Sequence, residues 1–324
     1  MNITEISGPI EKHLDSFNKY FKSLMLTDVS LLNLIINYIT KKKGKQVRPV
    51  LVFLSAELCG GANERTNIGA AMIELLHTAT LIHDDVVDKS SQRRGMASIN
   101  AEWSNKIAVL IGDYLLARGL LSAIDHSEFN FLRATSKAVR RMSEGELLQI
   151  EKSMKIDTDE ETYFKIISYK TASLMSSCCE IGALSATDDS EKHLALSRYG
   201  ELVGLSFQIR DDIFDYANKS SIIGKPVGND LKEKKLTLPL IYSFKQVSKG
   251  EAKDILKIIK GGKLKKADIT KVVDFVKVNG GLDYAEKKAK ELSIQGVEAI
   301  SGFADCPAKD SLIKYANFVI ERST

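Results

Sequence analysis

The chain has 324 residues, 44% of them apolar, and 46 Lys+Arg against 42 Asp+Glu for a net charge of +4. That is apolar material enough for a large core, and a charge balance too even to argue for nucleic acid. No run of 18 apolar residues occurs, and the first residues, MNITEISGPIEKHLDSF, hold no apolar signal core, so neither a membrane span nor a secretory leader is predicted.

The five prolines, Pro9, Pro49, Pro226, Pro239 and Pro307, leave the stretch from Pro49 to Pro226 free of them. Apolar residues there recur at three and four, which predicts an all-α chain of about ten or more helices. No Pro/Ser-rich linker interrupts it, so residues 1–324 read as one domain. The four cysteines, Cys59, Cys178, Cys179 and Cys306, form no C-x-x-C or Cys/His spacing and fit a reduced, cytoplasmic setting.

In chain order, the first charged element is KKKGKQVRP at residues 41–49. Lys45 and Arg48 flank a turn set by Gly44 and closed by Pro49. A solvated basic turn and an anion site both fit. The next element is LIHDDVVDKSSQRRG, residues 81–95, following an apolar run from Ile73 that predicts a helix ending near Lys89. Residues four apart share a helix face, so Asp84 and Asp88 point one way while Asp85 is rotated about 100° away. Two like charges this close repel unless a cation offsets them. Carboxylate oxygens at this spacing suit Mg²⁺, and the following Arg93 and Arg94 suit phosphate. His77, two turns upstream on the same face, fits either a core histidine or a phosphate contact.

A single D-x-x-x-D is more often a solvated face. Here the pattern returns in FQIRDDIFDY, residues 207–216, with Asp211, Asp212 and Asp215. Between the two clusters lie a predicted helix from Ile107 to Ile124, and EGELLQ at 144–149, for which no role is assigned. Next comes Lys170, beside Tyr169 and Thr171, the one charge in a long apolar stretch. Such a lysine either faces an anion or snorkels to solvent. Gln208 lies one turn before the second cluster. Loops are expected at 60–64, 90–96, 125–128, 157–160, 218–235 and 261–263. That at 218–235, rich in Lys and Gly, is long enough for a binding loop.

From Gly44 to Pro239 these motifs, in this order, resemble the trans-type polyprenyl diphosphate synthases. GKQVRP is similar to that family's G-K-x-x-R-P turn, the two D-D-x-x-D clusters to its two aspartate-rich motifs, and GKPVGNDLKEKKLTLP to its lysine loop. The resemblance implies an isoprenoid-synthase fold, a single helical bundle around a central cavity, usually in a homodimer. It implies Mg²⁺, three ions per active site with substrate bound, held by Asp84, Asp88 and Asp211 with Asp85, Asp212 and Asp215 in support. The allylic diphosphate would be bound by Arg93, Lys170, Thr171, Gln208, Lys225 and Lys235, and isopentenyl diphosphate by Lys45, Arg48, His77 and Arg94. Of these, Asp84, Asp88, Asp211, Lys170 and Lys225 would carry the catalysis. Two positions depart from the pattern: Lys234, where the family often has Gly, and Gln46, where it often has Arg.

The implied chemistry is departure of a neutralised diphosphate, attack of isopentenyl diphosphate on the allylic cation, and loss of a proton, with five carbons added per cycle in trans. Ala79 and Thr80, just upstream of Asp84, are small where aromatic residues in the family stop the growing tail. A long product of about C30–C50 is therefore expected, with a channel floor near Leu120, Leu121 or Ile124. Loose membrane association for product release fits such a product. Alternatives are a short-chain (geranylgeranyl or farnesyl) synthase, a terpene cyclase, and a non-catalytic subunit of a synthase pair. A cyclase needs no second-substrate site, and non-catalytic subunits tend to lose aspartates that this chain keeps.

Overall fold

The proline-free stretch becomes a succession of long helices, and helix accounts for 81% of the described residues. The computed structural model describes residues 3–41, 44, 46–93, 95–216, 228–262 and 264–322. Lys45, Arg94 and Lys225 lie outside them. Two compact units are present: one of residues 1–136, 177–196 and 303–312, the other of residues 137–176, 197–302 and 313–324.

The first unit is built on three helices. Val47–Leu58 is buried on nearly every side, from Val50 through Ala56, as expected of a helix apolar all round. Glu64–Val87 starts at Asn63, whose side chain and that of Thr66 form a reciprocal capping box. Asn105–Asp125 packs along it, and the contact is intimate at Gly112, where a Cβ would meet His83 Nε2 at 2.1 Å. Among the described residues, Asn105–Asp125 alone is long and apolar enough to cross a membrane. Ala108, Ile111 and Leu115 instead bury it in a cluster with Leu75, Ala79 and Ile82 of Glu64–Val87. Its other face exposes Val109, Leu110, Leu121 and Ile124.

The second unit gathers Glu160–Ile167, the later turns of Ser190–Tyr216, and the helices Leu238–Lys245, Lys249–Lys260, Lys266–Val278 and Gly281–Ala299 around one apolar cluster. Gly281 permits a close crossing, since a Cβ there would sit 2.2 Å from the Pro239 carbonyl oxygen.

Three local features differ from the sequence reading. Residues 90–96 are not simply a loop: Gln92–Arg93 pairs antiparallel with Met96–Ala97, turned by Gly95 at φ 74°. Within the expected 218–235 loop, Asn229–Lys232 is a short helix. Residues Ser168–Ala172 form one π-helical turn leading into Ser173–Ala186.

Candidate functional site

The first aspartate cluster sits at the C-terminal end of Glu64–Val87, with Asp88 as its cap. That end of a helix carries the negative pole of the macrodipole, and the last turn holds no basic residue, so three carboxylates there call for an outside cation. Asp84 and Asp88 are exposed and Asp85 is buried, matching the predicted rotation. Arg93 Nε donates to Asp85 Oδ2 at 2.7 Å, and its Nη2 lies 2.7 Å from Oδ1 as an ion pair. The helix stops by a Schellman turn: the Ser90 amide bonds to Asp85 O at 2.9 Å and the Lys89 amide to Val86 O at 3.3 Å. Lys89 takes the left-handed position, φ 52°, usually given to glycine. Asn100 Nδ2 and Ser98 Oγ then tie Ser90 O, at 3.1 and 2.6 Å, and hold the Arg93 hairpin against the helix end.

Upstream, His77 is 8% exposed. Arg48 lies in the first turn of Val47–Leu58, and its Nε is buried with no hydrogen-bond partner among the described residues. An orphaned guanidinium donor is costly unless an anion completes it. Gln46, at the family's Arg position, adopts φ 47° and donates to Asn18 Oδ1 at 2.8 Å. A cavity of about 400 Å³ opens here, walled by Phe21, Tyr38, Leu81, Ile82 and Met96, with the Asp85–Arg93 pair also on its lining. Ala79 and Thr80 are not among its walls: Ala79 is packed in the apolar cluster, and Thr80 Oγ1 donates to His77 O at 2.9 Å. Of the three residues expected at the floor, Leu121 and Ile124 are 46% and 47% exposed and Leu120 is half-buried.

In the second unit, glycines bring the parts together. At Gly204 a Cβ would lie 2.7 Å from Ala172 Cα, and at Gly145, 2.7 Å from Tyr169 Cβ. The π turn carrying Lys170 and Thr171 is thereby seated against Ser190–Tyr216 and Phe129–Lys155. Single π turns of this kind often mark functional positions. Thr171 Oγ1 donates to Gln208 Oε1 at 2.8 Å, and Gln208 Nε2 donates to Asp212 Oδ1 at 2.9 Å. Tyr163 Oη donates to Asp212 Oδ2 at 2.7 Å. Burial, and then the charge of Asp230, push Asp212 up to about 8 despite those two hydrogen bonds. Burial also raises Asp215, whose oxygens accept the amides of Asn229 and Asp230 at 2.9 and 3.0 Å. Asp215 thus caps the short helix.

Two lysines that line this pocket are each matched by a carboxylate. Lys170 pairs with Glu146 at 2.5 Å, and Lys235 pairs with Glu233. Burial works against the Lys235 charge, but the Glu233 pair outweighs it and holds its pKa above the ordinary value. Lys234 adopts φ 57°, so the turn where the family often has Gly is made here by a lysine. Asp211, 43% exposed, pairs with Arg322 at 2.6 Å. Lys170, Thr171, Gln208, Asp212, Asp230 and Lys235 line one cavity of about 90 Å³.

The structure therefore collects, in one pocket, five residues named from the sequence. Glu146, Tyr163, Asp230, Glu233 and Arg322 were not assigned there. Glu146 stood out only as a carboxylate three residues before Gln149. Arg322 carried no local signal, because its partner is distant in the chain.

The family model for polyprenyl synthetase matches residues 29–276. The chain belongs to the polyprenyl synthetase family. Members are prenyltransferases and use a divalent metal for catalysis. Over 98% of this chain and 97% of its own length, an all-trans-nonaprenyl-diphosphate synthase (geranyl-diphosphate specific) of Rhodobacter capsulatus is 34% identical. An octaprenyl diphosphate synthase of Escherichia coli (strain K12) is 32% identical over 99% of both chains. A polyprenyl synthase from Caulobacter crescentus CB15, solved in complex with calcium and isoprenyl diphosphate, superposes with a TM-score of 0.91 at 31% identity, covering 100% of this chain and 98% of its own. The fold is the all-α isoprenoid synthase type.

Among the described residues, no three His, Cys, Asp or Glu side chains gather to hold a metal by themselves. The donor set still fits Mg²⁺, which typically takes one or two carboxylates and completes its shell with water and phosphate oxygens. It does not fit a cation caged by protein alone.

Proposed function

We propose that this chain condenses an allylic diphosphate with successive isopentenyl diphosphates, in trans, to a long-chain polyprenyl diphosphate, and that residues 1–324 act as one catalytic domain. The observation that carries the reading is the small cavity where Lys170, Thr171, Gln208, Asp212 and Lys235 meet. Two cations, an amide, a hydroxyl and a carboxylate in one pocket are what a metal-bound diphosphate needs. Lys170 and Lys235 are paired to Glu146 and Glu233. Diphosphate binding exchanges those carboxylates for phosphate oxygens, so neither lysine is ever buried without a counter-charge.

Asp84, Asp88 and Asp211 are the carboxylates we assign to Mg²⁺, three ions with substrate bound. When bound, Mg²⁺ supplies charge that makes diphosphate a competent leaving group. Asp85 supports by anchoring Arg93, Asp212 by orienting Gln208 and Tyr163, and Asp215 by fixing the start of Asn229–Lys232. Arg93, Lys225 and Lys235 join Lys170, Thr171 and Gln208 on the allylic diphosphate. Arg48, with its orphaned Nε, joins Lys45, His77 and Arg94 on isopentenyl diphosphate. The assignments of Lys45, Arg94 and Lys225 rest on their motifs. We assign chain length to the Ala79 and Thr80 positions on the resemblance, since neither side chain lines the cavity, and the apolar cavity beside Leu81 and Ile82 supports prenyl binding on this helix. The exposed apolar face of Asn105–Asp125 supports a homodimer. We place the enzyme in the cytoplasm, with loose membrane contact for release of its product.

The test is incubation with isopentenyl diphosphate, an allylic primer and Mg²⁺, followed by sizing of the products. Long-chain products are expected from the wild type and none from Asp84→Ala or Asp211→Ala. Absence of Mg²⁺-dependent incorporation by the wild type would refute the proposal.

A further inference from the structure

Arg322 follows the last turn of Pro307–Glu321, far in sequence from every motif considered so far. Its side chain is only 12% exposed. Its Nη2 donates to Asp211 Oδ1 at 2.6 Å and to Phe207 O at 2.9 Å. The guanidinium lies 3.9 Å over the ring of Phe207 and 5.4 Å from that of Phe214. Its backbone is held as firmly: the amide donates to Phe318 O at 3.0 Å, and the carbonyl accepts Arg210 Nη2 at 3.0 Å.

A cation that merely filled a metal's place would be loosely held and free to leave. Arg322 is anchored by backbone, by ring faces and by a helix carbonyl, so departure would forfeit all of these at once. We infer that Arg322 is the positioning residue for Asp211, fixing the orientation in which that carboxylate meets a divalent cation. The inference rests on the assignment of Asp211 to Mg²⁺ made above. Ligating carboxylates are generally held by outer hydrogen bonds, and losing such a partner typically costs about 10–100-fold in metal affinity. Arg322 touches no substrate in this account; it acts through Asp211. The final helix is thereby part of the second aspartate cluster, although no D-D-x-x-D pattern points to it.

The test measures Mn²⁺ binding by titration with inorganic pyrophosphate present, in the wild type, Arg322→Ala, Arg322→Lys and Asp211→Asn. Arg322→Ala should weaken Mn²⁺ binding about tenfold, with Arg322→Lys recovering part of the loss. Turnover by Arg322→Ala should return toward wild type at saturating Mn²⁺, whereas a general loosening of the fold would depress it at every concentration. If Arg322→Ala does not fold, Arg322→Lys carries the same comparison with a smaller expected shift. Mn²⁺ binding that is unchanged or tighter in the Arg322 variants, with Asp211→Asn still weakened, overturns the inference alone. Unchanged binding in Asp211→Asn overturns the assignment of Asp211 beneath it.

Discussion

Gly145 tests how the turn bearing Lys170 is held. It lies within Phe129–Lys155, and inside a helix alanine is ordinarily preferred to glycine by about 0.5–1 kcal/mol. Here a Cβ would stand 2.7 Å from Tyr169 Cβ and 3.0 Å from the Lys170 amide nitrogen, where ordinary contact begins at 3.4 Å. Neither neighbour is the free end of a flexible side chain, so helix and π turn must part by several tenths of an ångström. Overpacking of this kind costs about 1–3 kcal/mol. The clash therefore outweighs the helix preference, and Gly145→Ala should destabilise by about 0.5–2 kcal/mol. Gly250 is the internal control: it is also helical, and the nearest atom to its Cβ would be Ser248 Oγ at 3.8 Å. Gly250→Ala should stabilise by about 0.4–1 kcal/mol. Urea unfolding followed by circular dichroism reads both. The displacement also shifts the turn that carries Lys170 and Thr171 out of its place in the pocket, so the KM for the allylic diphosphate should rise in Gly145→Ala alone. A Gly145→Ala protein as stable as the wild type, or more so, would refute the close contact from which this argument starts.

Ala79→Phe places a ring in the cluster of Leu75, Ile82, Ile111 and Leu115. It should cost about 1–3 kcal/mol in stability and shorten the product, and unchanged chain length on sizing would remove the plugging argument. For Glu233→Gln the sign follows from the pair: Glu233 sits below its ordinary pKa, with Lys235 outweighing burial, and Lys235 sits above its own. The pair's contribution is present above the ordinary carboxylate pKa and fades as pH falls through the lowered one. It is likewise present below the ordinary lysine value and fades as pH rises through the raised one. The stability lost in Glu233→Gln should therefore match at about pH 6 and about pH 9 and shrink below about pH 4; a difference between the two higher pH values would contradict it. Leu110→Asp, on the exposed face of Asn105–Asp125, should convert a dimer to monomer in sedimentation, and an unchanged sedimentation coefficient would move the interface elsewhere.

Helical class and the two aspartate helices were legible in the sequence because periodicity and proline placement act locally. That Asp84 and Asp88 share one side and Asp85 is turned off it follows from 3.6 residues per turn; that the shared side is exposed and Asp85 buried is set by packing. The left-handed turns at Lys89, Lys234 and Gln46 were not legible, since residues other than glycine gave no sign of φ above zero. Nor was the π turn at Ser168–Ala172, which arises where Gly145 and Gly204 let neighbouring backbones close on it. The pairings Arg93–Asp85, Lys170–Glu146 and Arg322–Asp211 join residues 8, 24 and 111 positions apart. Sequence by itself determined which chemical groups are present and on which helical face each lies. Only tertiary structure decided which charge each one answers, because an ion pair depends on separation in space, and packing sets that separation.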